Sequence, residues 1–347
     1  MSAPLPLAAD FQEIVGEEPA RVSDFVRASG LSSLVVGTSK NPNAKITILL
    51  VSPETGRPLV AIKVPTTDAA ARAIEAEARV LLALQGVRLG VMETTPRVVE
   101  ILDFGGRPAL AMTALEGTPM STSYLRWRYT AKSANVTAHF VAVGVWLARL
   151  QRATAGEVAP LEMDAGVASR LASRFAADEA VAEAVEPLSA IHARLRRNSV
   201  PRTAVHGDFW LGNVLLSSGR VSGVVDWEDG VRSGEPVRDV VRFANMYALF
   251  LDRRTTRPGR RVAGHHGLRA GEWGAGVEYA LYGTGWFPQL FRRFLRDSLT
   301  RLGASPDSWR DAALAGIAEV AAFADDETFA HRHLELFRRL VAREVAA

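Results

Sequence analysis

Residues 204–228 read AVHGDFWLGNVLLSSGRVSGVVDWE and carry three polar side chains that stand out from an apolar background. Asp208 is followed by Asn213 five residues later, and Asp226 comes thirteen residues after that. Between the last two, the turn residues 217–220 separate two short apolar runs, a pattern that predicts a tight β-hairpin. Such a hairpin brings Asp226 back beside Asn213, with Asp208 in the loop just before it.

These three side chains favour a metal site. Two carboxylates lying close together beside a carboxamide would repel each other at neutral pH unless a cation lay among them, and oxygen ligands suit Mg²⁺. The spacing Asp-x4-Asn followed by a later Asp is also that of the kinase catalytic loop and its metal-binding aspartate. The alternative for each residue taken singly is an Asp or Asn that caps a turn.

The same stretch resembles the hallmark of small-molecule kinases. Residues 206–208, Asn213 and residues 226–228 match the pattern His-Gly-Asp-x4-Asn followed by Asp-Trp-Glu, which is typical of the aminoglycoside phosphotransferase and choline kinase group. Protein kinases usually have His-Arg-Asp and Asp-Phe-Gly instead, so the resemblance points away from protein substrates. It implies that Asp208 is the catalytic base and that Asn213 and Asp226 hold Mg²⁺.

The N-terminal third of the chain alternates between apolar runs and turn residues, and this pattern predicts β structure. The five expected strands are 34–36, 46–51, 59–64, 97–102 and 109–115. One Ala-rich helix is expected between the third and fourth strands. We therefore predict an N-terminal lobe over residues 1–115 and a larger, mostly helical lobe over residues 116–347. The resemblance implies that the first lobe binds nucleotide and that the second is catalytic and binds the acceptor. The resemblance implies an α+β, bilobal, protein-kinase-like fold with a five-stranded antiparallel sheet.

A lysine within the third expected strand fits a role in binding phosphates. Lys63 ends the run Val-Ala-Ile-Lys, which matches the kinase strand whose lysine grips the α- and β-phosphates. On the helix that follows, Glu75 and Glu77 could each pair with it. The spacing of Glu77 from Leu81 and Leu84 matches the family, so we assign Glu77 as the partner. The other fate of either glutamate is a solvent-exposed helix face.

Two further segments are assigned to the nucleotide, ATP or GTP, by the resemblance. Loop 37–43 joins the first two strands, where Ser39 and backbone N–H groups could cover phosphates. This loop has one glycine, whereas the phosphate-covering loop of protein kinases has several, so an ordinary hairpin turn is an equal alternative. Residues 113–116 lie at the position of the family's hinge, where backbone groups of Thr113 and Leu115 would pair with adenine or guanine.

Composition excludes several other classes of protein. The chain has 48% hydrophobic and 23% charged residues, as an ordinary globular protein does, and no cysteine, which excludes disulfides and thiolate metal sites and fits a cytoplasmic location. No apolar run is long enough to span a membrane, and the first ten residues lack the pattern of a signal peptide. The net charge of +3 is small, and no basic face with interleaved aromatic residues is evident. We therefore expect neither nucleic acid nor membrane as a partner.

The expected acceptor is a small molecule with a free hydroxyl group. Residues 231–347 contain eighteen arginines against fourteen acidic residues, an excess that disfavours a strongly cationic acceptor. An antibiotic or related natural product, inactivated by phosphorylation, fits a common role of the family. The alternatives are a metabolic kinase for a sugar, amino alcohol or choline-like compound, and a nucleotide-binding pseudokinase scaffold. The Arg-rich insertion 253–276 is either a surface loop or a flap over the acceptor.

Overall fold

The computed structural model describes residues 19–38, 43–87, 92–163, 166–178 and 181–345. Contacts divide the chain into two compact units. Unit 1 comprises Met1–Thr118, His206–Asp208 and Asn213–Arg232, and unit 2 comprises Pro119–Val205, Phe209–Gly212 and Ser233–Ala347. The boundary after residue 115 that the sequence suggests is a different division, and it stays a prediction.

Unit 1 is built on a five-stranded sheet, as predicted. Its strands are β1 Ser32–Thr38, β2 Lys45–Val51, β3 Pro58–Pro65, β4 Val98–Phe104 and β5 Arg107–Thr113. Their order across the sheet is β1-β2-β3-β5-β4, and each neighbouring pair is antiparallel. The helices of unit 1 are α1 Val22–Ser29 and α2 Asp68–Gln85, with a 3₁₀ turn at Met92–Thr94.

The two faces of this sheet have different chemistry because successive side chains of a strand point to opposite sides. Ile62 and Val64 of β3 are buried with Val22 of α1 in an apolar core. Lys63 lies between them in the strand and therefore points to the other face, where it meets α2. The sheet thus separates an apolar core from a layer that contains buried charge.

Helix α2 begins at a side-chain cap. The Thr67 side chain accepts a hydrogen bond from the Ala70 backbone N–H at 3.1 Å and so caps the helix. The buried face of α2 carries apolar residues such as Ile74, Ala78 and Leu81, together with one fully buried acid, Glu77. That burial fixes Glu77 within the packed layer between helix and sheet.

The predicted hairpin is formed by strands Val214–Ser217 and Arg220–Val224. Ser218 and Gly219, at the tip, both have positive φ, of 49° and 74°. Two such residues make a turn whose twist matches that of the strands it joins. The hairpin closes with a hydrogen bond from the Val225 N–H to the Asn213 carbonyl at 3.0 Å, which aligns the two segments that carry polar side chains.

Unit 2 is mostly helical. Its helices are α3 Met120–Tyr124, α4 Ser133–Thr154, α5 Val167–Arg174, α6 Ala182–Leu195, α7 Val237–Leu249, α8 Ala275–Tyr282, α9 Trp286–Leu302, α10 Trp309–Phe323 and α11 Glu327–Val345, with a 3₁₀ turn at Pro306–Ser308. Elsewhere the short strands are Thr118–Pro119, Val158–Pro160, Ser199–Pro201, Thr203–Val205, Val231–Gly234, Arg261–Val262 and His265–Arg269. Within the described residues, no helix combines the length and the apolar character needed to cross a membrane.

Two details of unit 2 differ from the sequence pattern. The helical pattern of residues 171–197 is divided between α5 and α6, although no glycine or proline lies between Arg174 and Ala182. The sequence also predicts Asp239 as a helix cap. Helix α7 in fact begins two residues earlier, and Asp239 is buried within its first turn.

The core of unit 2 is organised around aromatic rings. Phe140 of α4 is 2% exposed, and its ring packs against four others at centroid distances between 4.9 and 6.2 Å. Those rings belong to Phe243, Tyr247, Phe287 and Phe294. Because these residues come from three helices, Phe140 joins α4, α7 and α9.

We expect Phe140→Ala to lower the free energy of unfolding by about 3–5 kcal/mol, since it leaves a cavity in the packed core. Val141→Ala is a matched control, because Val141 is the next residue on the same helix and is 57% exposed. It should change that free energy by no more than about 0.5 kcal/mol. Urea unfolding followed by circular dichroism measures both values, and equal losses would contradict the assigned core.

Candidate active site

A buried lysine between two carboxylates forms the centre of the candidate site. Lys63 Nζ donates to Glu77 Oε1 at 2.8 Å and Oε2 at 2.6 Å, and to Asp226 Oδ1 at 2.7 Å. Burial acts to lower the pKa of Lys63, but Glu77 and Asp226 outweigh it and raise that pKa above its usual value. Lys63 is therefore a permanent cation at this position.

The structure also separates the two candidate glutamates on α2. Glu77 is fully buried and bonds Lys63, and its Oε1 accepts a further hydrogen bond from the Trp227 N–H at 3.1 Å. Glu75 instead lies 3.2 Å from Arg79, one turn along the same helix. Glu77 thus connects β3, α2 and the segment that follows the hairpin.

Asp226 is held in an uncommon conformation. Its φ of 71° lies in the left-handed region, which is energetically unfavourable for a residue that has a side chain. Residues in this conformation cluster at functional sites. Burial alone would raise the pKa of Asp226, but the positive charges of Lys63 and Lys45 hold it at about 2. Asp226 is therefore ionised throughout the physiological range and is available as an anionic ligand.

Lys45 is a member of this cluster that sequence reasoning missed. It is 8% exposed, lies 3.8 Å from Asp226 Oδ1 and forms an ion pair with Glu228, which also accepts a hydrogen bond from Asn43 Nδ2 at 3.2 Å. Burial and the nearby Lys63 lower the pKa of Lys45. The signal that could have found it is that Lys45, like Lys63, is a rare lysine beside an apolar strand.

Asp208 and Asn213 hold each other in the loop before the hairpin. Asn213 Nδ2 donates to the Asp208 carbonyl at 2.9 Å and to its Oδ2 at 3.1 Å. This leaves Oδ1 of Asn213 as the amide atom that can face a cation. The preceding Gly207 has a φ of 85°, and a Cβ there would lie 2.2 Å from the Asp229 carbonyl oxygen. Only glycine therefore lets the loop pass this close to Asp229.

His206 supports the loop from within the protein. Its ring is fully buried against Trp227, with ring centroids 4.7 Å apart, and its Nε2 lies 2.9 Å from the Val225 carbonyl oxygen. Because a carbonyl oxygen only accepts, Nε2 carries the proton and donates. His206 thereby ties the start of the loop that carries Asp208 to the segment that leads to Asp226.

The other residues predicted to contact the nucleotide are Thr113, Leu115 and Ser39. Thr113 ends β5, and its Oγ1 accepts a hydrogen bond from the Arg97 N–H at 2.9 Å. Leu115 lies past the end of that strand, and its side chain packs so close to the hairpin that a Cβ on Gly223 would lie 2.9 Å from the Leu115 Cβ. Ser39 lies outside the described residues, so its assignment stays a prediction.

Asp226 and Asn213 are the candidate ligands for Mg²⁺. Within the described ranges no group of three or more His, Cys, Asp or Glu residues is arranged to hold a metal. Mg²⁺ is usually bound by only one or two protein carboxylates, together with water and substrate phosphates. The ionised Asp226 and the amide oxygen of Asn213 are hard oxygen ligands on adjoining segments of the hairpin, so these residues fit Mg²⁺ with nucleotide phosphates.

Known structures resemble this fold at low sequence identity. A thermostable mutant of aminoglycoside phosphotransferase APH(4)-Ia in its apo form has a TM-score of 0.56 and 14% identity, covering 94% of this chain and 99% of that one. APH(2'')-Ib bound to ADP has a TM-score of 0.52 and 15% identity, covering 91% and 95%. A ternary complex of an APH(4)-Ia mutant with ADP and hygromycin B gives 0.53 and 15%, covering 92% and 98%.

The expected α+β kinase-like fold is confirmed by these likenesses and by the five-stranded sheet of unit 1. No curated protein matches the sequence significantly. The model of the phosphotransferase enzyme family matches residues 48–275, which is more than half of the chain and includes the candidate site from Lys63 to Asp226. This chain belongs to the phosphotransferase enzyme family, and it is a small-molecule kinase.

Proposed function

We propose that this chain transfers the γ-phosphoryl group of ATP or GTP to a hydroxyl group of an antibiotic or related natural product. The observation that carries the proposal is Lys63, a buried cation fixed between Glu77 and Asp226. The pair of Lys63 with Glu77 is the one that phosphoryl transfer in protein kinases requires of its phosphate-binding lysine, and the later aspartate is there the metal ligand. The ADP and hygromycin B bound by an APH(4)-Ia mutant support both a nucleotide donor and a hydroxyl-bearing acceptor.

The nucleotide is bound by unit 1. Lys63 contacts the α- and β-phosphates, Glu77 holds its ammonium group in place, and backbone groups at Thr113 and Leu115 pair with the purine base. Ser39 and its loop cover the phosphates. Asn213 and Asp226 hold Mg²⁺, which when bound neutralises the charge on the phosphate oxygens.

Asp208 acts on the acceptor. Its carboxylate accepts the proton of the attacking hydroxyl as the new P–O bond forms and the bond between the γ-phosphorus and the leaving oxygen of the nucleotide breaks. Asn213 orients this carboxylate through the 3.1 Å hydrogen bond to Oδ2. His206 braces the loop and takes no part in proton transfer, because its Nε2–H is directed at the Val225 carbonyl.

The solved relatives support an antibiotic acceptor, and charge restricts which kind. The solved relatives named above are aminoglycoside phosphotransferases, whereas the excess of arginine after residue 231 disfavours a strongly cationic aminoglycoside. A neutral or anionic antibiotic satisfies both observations. Such an enzyme would work in the cytoplasm, where the donor nucleotide is found.

Transfer of labelled γ-phosphate tests this function. Hydroxyl-bearing antibiotics form one panel, and sugars, amino alcohols and choline form a second, each with ATP and with GTP in the presence of Mg²⁺. Labelled product in the first panel supports the proposal, and labelled product only in the second indicates a metabolic kinase. Nucleotide binding with no product in either panel would identify a scaffold.

We expect Asp208→Asn to lower kcat by about 10²-fold or more, because an amide cannot accept the hydroxyl proton. The amide oxygen can still accept the hydrogen bond from Asn213, so nucleotide affinity should stay close to that of the wild type. Steady-state kinetics and calorimetric titration with a non-hydrolysable nucleotide measure the two quantities. An activity within threefold of wild type would exclude Asp208 as the base.

We expect Glu77→Gln to weaken nucleotide binding by about tenfold or more, because Lys63 loses one of its two charged partners and is no longer held in place. Glu75→Gln is the control, since it is the same change two residues away on α2, at a residue that pairs with Arg79 instead. Calorimetric titration of both variants gives the comparison. Equal effects would argue that Lys63 is positioned without Glu77.

A further inference from the structure

Unit 2 contains a cavity of about 500 Å³ whose lining is rich in positive charge. One wall is the segment 125–131, which follows α3, and the other is the segment 250–263, which follows α7. Seven arginines and no acidic residue line it. Two of them, Arg126 and Arg128, come from the first wall, and Arg253, Arg254, Arg257, Arg260 and Arg261 come from the second.

These arginines differ from most others in unit 2 because no described acidic residue pairs with them. All seven are exposed, and none forms an ion pair or a side-chain hydrogen bond with the residues that the structure describes. Elsewhere in unit 2, by contrast, Arg174 pairs with Glu327 and Arg194 with Asp311. A concave site lined by one sign of charge focuses the field and attracts ions of the opposite sign.

The walls of this cavity are held together by specific contacts. His265 Nε2 donates to the Thr130 carbonyl at 2.9 Å, and Gly264 packs so closely that a Cβ would lie 2.4 Å from the Ala131 carbonyl oxygen. The Tyr124 hydroxyl, at the end of α3, donates to the Tyr247 carbonyl at 2.9 Å. Arg128 itself has a φ of 53°, a backbone conformation that residues with a side chain rarely adopt.

The floor of the cavity is apolar. Leu251 and Val262 are buried, and the guanidinium of Arg253 lies 5.5 Å from the centre of the Phe250 ring. Trp127, which is 77% exposed, adds a large aromatic surface at the rim. The combination suits a molecule that presents an aromatic or apolar face as well as negative charge.

The cavity lies next to the segment that follows the proposed base. Phe250 lines the cavity, and its ring centroid is 6.3 Å from that of Trp210, two residues after Asp208 in the sequence. Leu211, one residue further on, accepts a hydrogen bond from the Ser121 N–H at 2.9 Å, at the start of α3. The same elements therefore fix both the end of the catalytic loop and the wall of the arginine-lined cavity.

We propose that this cavity binds the acceptor through an oxyanion, so that the substrate is a small molecule carrying a phosphate or carboxylate group beside an apolar ring. The inference rests on the proposed kinase function. Guanidinium groups bind both oxyanions through paired hydrogen bonds, and a cavity of this size suits one small molecule. The arginines hold the anionic end while the floor and Trp127 contact the ring.

Calorimetric titration with three probes tests the charge requirement. 1-Naphthyl phosphate, 1-naphthoate and neutral 1-naphthol share a ring and differ in charge, and each is added to the full chain. We expect binding of one or both anions, with the relative affinity of phosphate and carboxylate identifying the group, and binding of naphthol at least tenfold weaker. Naphthol that binds as tightly as the anions would overturn the proposal.

Paired variants test the location. Arg257→Gln combined with Arg260→Gln should weaken anion binding at least tenfold, because two charge-assisted contacts are lost. Arg293→Gln combined with Arg332→Gln is the control, since both residues are exposed arginines of unit 2 outside the cavity, and it should stay within twofold of wild type. Unchanged anion binding by the first pair would overturn the proposal. Single-stranded RNA is titrated in parallel. If the first pair loses RNA binding but keeps anion binding, the arginines form a nucleic-acid surface and the proposal is also overturned.

The cavity assignment and the proposed kinase function can be disproved separately. If antibiotics are phosphorylated while the Arg257/Arg260 pair has no effect on KM or on anion binding, the cavity assignment is wrong and the kinase function stands. If the anions bind in the cavity but no hydroxyl compound receives labelled phosphate, the proposed function is wrong and the cavity remains an anion site.

Discussion

The structure of unit 1 depends on a buried cation shared by two carboxylates. Lys63 belongs to β3, Glu77 to α2 and Asp226 to the segment after the hairpin, so this single ionic cluster fixes three elements that are far apart in the sequence. A buried charge without partners is strongly destabilising, which means that none of the three groups can be removed without exposing the charge of the others. The groups that we propose to bind nucleotide and Mg²⁺ are therefore also groups that hold the sheet, helix and hairpin together.

Much of unit 1 follows from local patterns. The hairpin is encoded by Ser218 and Gly219 between apolar runs. The direction of Lys63 is encoded by its position in β3, because successive side chains of a strand point to opposite faces of the sheet. Lys45 shares the local signal of Lys63, a rare lysine at an apolar strand, but its direction toward Asp226 depends on the register in which Thr47 pairs with Lys63. Register is set by the packing of one whole face and is not written in either strand alone.

Unit 2 is harder to derive from sequence because its decisive features are non-local. The break between α5 and α6 has no glycine or proline to mark it, and Asp239 is buried inside a helix that starts earlier than its cap signal suggests. The arginine-lined cavity joins two segments more than a hundred residues apart, residues 125–131 and 250–263. The run of arginines from residue 253 is visible in the sequence, whereas its concave setting is visible only in the fold.

The pair formed by Lys45 and Glu228 has a consequence for how this chain can change over time. Together with Glu77, Lys63 and Asp226, these residues form a row of five charges that alternate in sign. Neutralising Glu228 alone leaves Lys45 buried without its closest partner, whereas neutralising Lys45 and Glu228 together preserves the net charge of the cluster and leaves Asp226 paired with Lys63. Positions 45 and 228 are therefore expected to covary among descendants of this sequence, while Lys63, Glu77 and Asp226 stay fixed.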